Sequence, residues 1–151
     1  MKAYLRLISL LLLLCQLPCL ADAVDTDSAV IKQYNLLLQV RGNDISGICV
    51  IKMVSSSEMI GTVINEFGLT AFDFEYKEGK TKLSNLPPFL DKWYIRKILK
   101  KDLSFFFANF QLQQNTKKRS KELLFSSDGE MILTNNRFKI KYTFTPIIDE
   151  E

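Results

Sequence analysis

One stretch, Ser57 to Tyr76 (SEMIGTVINEFGLTAFDFEY), constrains the fold more than any other. Its second half alternates strictly. Phe72, Phe74 and Tyr76 point one way, while Ala71, Asp73 and Glu75 point the other. A period of two marks a strand with one buried face. The preceding segment, Met59 to Ile64, is apolar on both faces. Asn65-Glu66-Phe67-Gly68 joins the two as a tight turn, with Gly68 supplying the backbone freedom. Phe67 is the anomaly, a large apolar side chain within a turn. It either folds back to cap the core or protrudes to touch something apolar.

Similar patterns recur on both sides. A short helical turn over Ser28 to Tyr34 is expected to lead into an alternating strand, with Leu36, Leu38 and Val40 on one face. Gly42-Asn43-Asp44 is a turn, and Ile45 to Val54 is a strand that is apolar on both faces. The Lys77 to Lys80 hairpin and a short strand to Ser84 complete an antiparallel meander. Pro87-Pro88 ends it. Phe89 to Leu103 reads as the one clear helix, with Tyr94, Ile95, Ile98 and Leu99 forming an apolar stripe. Lys92, Arg96, Lys97, Lys100 and Lys101 occupy the opposite arc, with Phe89 and Trp93 among them. Such an arc is either a solvated face with a half-buried Trp or a surface that meets a membrane or an acidic partner.

Leu103 to Leu112 is strongly apolar and ambiguous between strand and loop, and Gln113 to Glu122 reads as an exposed basic loop. Leu123 to Phe125, Met131 to Thr134 and Arg137 to Thr145 are strands, the last alternating cleanly through Phe138, Ile140, Tyr142 and Phe144. Antiparallel strands that are apolar on both faces need a second cover. The chain has little helix to provide it, which points to a curved sheet with an apolar hollow. An ordinary packed core is the plainer alternative.

The first 23 residues have the form of a signal peptide: Lys2 and Arg6, then the run Leu7 to Leu14, then Ala21-Asp22-Ala23. The expected division is residues 1–23 as signal peptide and 24–151 as a single β-rich domain. Export to the periplasm follows. An outer-membrane lipoprotein follows instead if Cys15 or Cys19 is lipidated, although Leu14 and Pro18 stand where a small residue is expected. The mature chain then retains only Cys49, which reads as a buried structural thiol. Val24 to Ala29 and the acidic tail Asp149-Glu150-Glu151 read as loose ends.

The chain has 151 residues, eleven Phe, no His and a formal net charge of +3. One domain is the natural size. The small net charge gives no case for nucleic acid, and the missing His removes the commonest general base and metal ligand. There is no metal spacing, phosphate-binding Gly-rich loop or nucleophile motif, so no cofactor and no enzyme activity are expected. Asp73 and Glu75 share a strand face and are the nearest approach to a paired-acid site; alternating exposed acids are the plainer reading.

The element order, with Ile60 to Tyr76, the Gly79 turn, the Pro87-Pro88 break and the helix to Leu103, resembles the LolA/LolB-like lipoprotein-carrier family, nearest its LolB-like branch. The resemblance covers roughly Leu36 to Leu103. It implies an α+β fold in which an antiparallel half-barrel sheet carries a central helix on its concave face. It also implies a periplasmic carrier that holds acyl chains of lipids or lipoproteins in an apolar hollow. Candidate lining residues are Leu38, Val40, Ile48, Val50, Ile60, Phe72, Phe74 and Trp93. Phe67 corresponds to a protruding residue that contacts the membrane or a partner. The poor lipobox and the shorter chain depart from the family pattern. The alternative is a β-rich accessory module that docks on an envelope protein through the basic helix or Phe67.

Overall fold

A computed structural model describes residues 30–40 and 42–147. The expected signal peptide, both of its cysteines, the Val24 to Ala29 segment and the acidic tail lie outside those residues. The strands are β1 (Val30–Val40), β2 (Asn43–Ser55), β3 (Glu58–Asn65), β4 (Thr70–Lys77), β5 (Lys80–Ser84), β6 (Thr116–Lys118), β7 (Lys121–Phe125), β8 (Met131–Asn135) and β9 (Ile140–Pro146). The helix, α1, spans Trp93–Phe110 between β5 and β6. All nine strands form one antiparallel sheet in the order β5-β4-β3-β2-β1-β9-β8-β7-β6. The fold is therefore α+β, an open sheet with one helix packed on it. The sheet is neither closed nor strongly curled, in contrast to the half-barrel expectation.

β1 lies at the centre and pairs on one side with β2 and on the other with β9. Two meanders thus meet at β1, and their free edges are β5 and β6. Both edges carry lysines, Lys80 and Lys82 on one and Lys117 and Lys118 on the other. Charged edges discourage pairing with a second sheet.

One sheet face packs on α1. Tyr34, Leu36, Leu38 and Val40 of β1, Phe72, Phe74 and Tyr76 of β4, and Ile140, Tyr142 and Phe144 of β9 are all buried there. α1 contributes Ile95, Leu99, Leu103, Phe106, Phe107 and Phe110. Phe106 stacks on Phe144 with ring centroids 4.4 Å apart, and Phe107 stacks on Phe74 at 5.0 Å. Tyr34 meets Phe110 and Phe144 edge-on, each at 6.2 Å. Such ring pairs add to the area they bury.

Five segments differ from the sequence reading. Arg137 to Lys139, expected to begin the last strand, form the turn before β9, where Lys139 takes the left-handed conformation (φ 54°). The helix starts at Trp93 rather than Phe89, because the Pro87 carbonyl accepts from the Leu90 and Asp91 amides in a separate turn. It runs past Leu103 to Phe110. The apolar run LSFFFANF is helical because Leu103, Phe106, Phe107 and Phe110 follow the i, i+3, i+4, i+7 spacing of one face. From Val30 the chain is already extended, so Val30 to Tyr34 are strand rather than a helical turn. Gln113 to Glu122 contains β6 and the start of β7 rather than only a loop.

Gly61 sits where β2, β3 and β4 press together. A Cβ there would lie 2.1 Å from the Val50 carbonyl oxygen and 2.4 Å from the Phe74 ring. In an ordinary strand, replacing Gly by Ala is worth roughly 0.5–1 kcal/mol of added stability. At this position the sign reverses. Gly61→Ala is expected to lower stability by about 1–3 kcal/mol through overpacking, read as a lower urea midpoint at unchanged slope. A midpoint that rises would show that the contact relaxes freely.

Candidate functional site: a basic cleft beside the helix

A cleft of about 950 Å³ runs beside α1 between the helix, the β6–β7 hairpin and the β8–β9 turn. Its apolar surface comes from Ile98, Phe105 and Ala108 of α1 and from Phe138. Its charged lining is Lys80, Lys97, Lys101, Lys118, Arg119, Lys121 and Arg137, against one carboxylate, Asp102. A volume of this size falls within the range of small-molecule sites.

Helical spacing builds one wall. Lys97, Lys101, Phe105 and Ala108 recur at intervals of three or four, with Ile98 beside them, so they share one flank of α1, where Ile98 and Phe105 also pack against the edge of the core. The opposite wall comes from the turns. Arg119 adopts the left-handed conformation (φ 57°) in the β6–β7 turn. Arg137 lies with its guanidinium 5.3 Å from the centroid of the Phe138 ring. Lys121 is the one cleft cation with an ion-pair partner among the described residues.

That partner is Asp102, which is fully buried. Lys121 Nζ lies 2.9 Å from Asp102 Oδ1 and also donates to the Lys101 carbonyl at 2.6 Å. Asn135 Nδ2 donates to both carboxylate oxygens at 2.8 and 3.0 Å, and the Tyr142 hydroxyl donates at 3.3 Å. Burial pushes the Asp102 carboxyl above its ordinary value, while Lys121, Asn135 and Tyr142 pull it back. Tyr142 is held well above its ordinary value by burial and by the Asp102 charge. The Asn135 Oδ1, buried in the cleft wall, has no donor among the described residues.

The sequence-proposed lining residues divide between the two sheet faces. Leu38, Val40, Phe72 and Phe74 are buried against α1 in the filled core. Ile48 and Ile60 are 41% and 38% exposed on the opposite face, where Val50 also lies. Trp93, at the first turn of α1, is 77% exposed. Phe67 is 85% exposed and Leu69 beside it 65%, so Phe67 protrudes rather than capping the core. Asn65 holds that turn by accepting from the Phe67 and Leu69 amides at 3.0 and 2.9 Å. Asp73 and Glu75 each have a partner, Asn85 and Lys82. The cleft itself was missed, because its residues are scattered from Lys80 to Phe138. The signal available was the cationic arc of α1 together with the run Lys117-Lys118-Arg119.

Cys49 is buried, and burial pushes its thiol up to about 12. It is therefore expected to resist thiol reagents in the native state and to react fully once the protein is unfolded. Fast native labelling would contradict this packing. Asp102→Ala removes a buried partner of Lys121 and is expected to cost about 3–5 kcal/mol. The pH dependence has a definite sign. A carboxyl raised in the folded state binds its proton more readily there than in the unfolded chain, so its contribution is greatest at low pH. That contribution is lost as pH rises from the unfolded value through the folded one. Relative to Asp102→Asn, the wild type is therefore expected to gain stability as pH falls through the carboxylate range. Urea melts of both proteins across that range measure the difference.

Comparison with protein-family models gives no match, and no curated protein shows significant sequence similarity to this chain.

Proposed function

We propose that this protein is a non-catalytic carrier of the cell envelope that binds acyl chains of lipids or lipoproteins. The observation that supports this best is the cleft of about 950 Å³, which sets Ile98, Phe105, Ala108 and Phe138 beneath a cationic rim. An apolar floor under charges suits an amphiphile, whose tail leaves water while its head stays at the surface. The site of binding moves from the face beneath α1, which is filled, to the flank of α1. Neighbouring turns of α1 reach β5 through Ser104 and β7, β8 and β9 through Asp102.

A carrier must also release its cargo. The exposed Phe67 and Leu69 suit transient contact with a membrane surface. They lie at the β3–β4 turn, at the end of the sheet where Asp73 pairs with Ser84 and the chain leads into α1. Trp93, the only Trp, starts that helix and is a ready reporter.

A second reading, an accessory module docking on an envelope protein, draws on the outer sheet face. There Ile48, Val54 and Ile60 remain exposed, with no covering layer among the described residues. Ile48→Lys with Ile60→Lys would remove that patch and leave the cleft alone.

The two readings separate in a chain-length series. Each methylene removed from water is worth roughly 0.8 kcal/mol when fully buried, so affinity is expected to rise about two- to fourfold per added methylene until the cleft is full. Ala108 is exposed and lines the cleft, so Ala108→Trp fills it without entering the core. That variant is expected to melt like the wild type and to bind at least tenfold more weakly by calorimetry. Affinity that ignores chain length, or that survives Ala108→Trp while falling with the double lysine variant, moves the function to the outer face.

A further inference from the structure

We infer that the preferred ligand of the cleft is an amphiphile with a multiply charged phosphate head, rather than a simple fatty acid. This deepens the carrier reading and rests on it.

The argument is one of charge. Lys80, Lys97, Lys101, Lys118, Arg119 and Arg137 line a single cleft, and none forms an ion pair with a described residue. The lone carboxylate in the wall, Asp102, is already matched by Lys121 and by donors from Asn135 and Tyr142. The cleft therefore presents a positive excess drawn from four separate parts of the chain. Elsewhere four cations meet a carboxylate, Lys77 with Glu58, Lys82 with Glu75, Lys117 with Glu122 and Arg96 with Asp91, and the exposed cations without an ion pair to a described residue, Lys52, Lys92, Lys139 and Lys141, lie outside the cleft rather than gathered into one concave site. The contrast matters because the whole chain carries a formal charge of only +3. Positive groups gathered into a concave, partly apolar site focus the field and favour an anion there.

One carboxylate would neutralise only a fraction of that excess. A phosphomonoester carries about −1.5 to −2 at neutral pH and three strong acceptor oxygens. Two arginines suit its geometry, since guanidinium groups engage phosphate oxygens in pairs. The apolar floor then distinguishes an acylated phosphate from a free one.

The test compares three probes on the full chain by calorimetry: lysophosphatidic acid below its micelle concentration, a fatty acid of equal chain length, and glycerol 3-phosphate. The expected result is that lysophosphatidic acid binds at least tenfold tighter than either of the others. That preference is expected to weaken as salt is raised. Lys97→Gln with Lys101→Gln changes two residues on the outer flank of α1 and is expected to cut lysophosphatidic acid binding about tenfold or more while sparing the fatty acid. Lys141→Gln, on the opposite sheet face, serves as the control and is expected to change neither.

Equal binding of lysophosphatidic acid and fatty acid, untouched by the lysine variant, overturns the head-group inference and leaves the acyl carrier standing. Glycerol 3-phosphate binding as tightly as the lysolipid overturns the lipid identity, since the cleft then reads a soluble phosphate. Binding of none of the three overturns both the inference and the carrier reading.

Discussion

The connection between β5 and β6 governs this structure. These two strands are the opposite edges of a nine-strand sheet, and α1 lies between them in the chain. The chain must therefore travel from one edge to the other across a face of the sheet. Eight inter-strand spacings amount to roughly 38 Å in a flat sheet. A helix of 18 residues spans only about 27 Å. The helix therefore lies across that face, and side chains of β1, β4 and β9 pack beneath it. Phe106 and Phe107 occupy that position, stacked on Phe144 from one meander and Phe74 from the other. One helix thus joins two hairpin systems that otherwise meet only along β1.

A single helix cannot cover so wide a sheet, and the consequences differ from place to place. Beneath α1 the aromatic layer is complete and leaves no room. On the far face Ile48, Val54 and Ile60 stay partly in water. Along the flank of α1 facing β6 to β8, the helix and the sheet fail to close on one another, and the gap is the cleft. Asp102 keeps that gap in register. A buried ion pair is a poor source of net stability, because desolvation offsets its attraction. Its geometry is demanding, however. Asp102 must meet Lys121 on β7, Asn135 on β8 and Tyr142 on β9 together, so α1 can neither slide nor roll without leaving a buried charge unmatched.

The strands were legible where one face is wet and the other dry. β4 and β9 alternate because water on one side and α1 on the other impose opposite demands on successive residues. β2 and β3 read as apolar on both faces, and the structure gives the reason. Their inner residues, such as Cys49, Ile51, Met59 and Val63, are buried, while Ile48 and Ile60 face outward and no other described residues form a layer over them. The second half of α1 escaped because Phe105, Phe106 and Phe107 form an unbroken apolar run, which masks a helical period. Phe106 and Phe107 point to the core and Phe105 to the cleft. The cationic arc of α1 and the run Lys117-Lys118-Arg119 were visible, but the cleft as a whole was not. Its cations come from β5, α1, the β6–β7 hairpin and the β8–β9 turn, and only the fold brings them together.

The division between a filled core and an open flank bears on how a carrier would work. A ligand enclosed between sheet and helix would have to part Phe106 from Phe144 on every cycle, at a cost comparable with the stability of the whole domain. A ligand lying along the outside of α1 disturbs none of those contacts. It gains less from burial, since one side still faces water, and the loss is made up by charge at the rim. Electrostatic attraction of that kind speeds encounter and weakens in a competing ionic environment such as a charged membrane surface. On the proposed carrier reading, binding at the flank would leave the fold untouched in both loaded and empty states. Release would then be governed by the surroundings of the rim rather than by opening of the core.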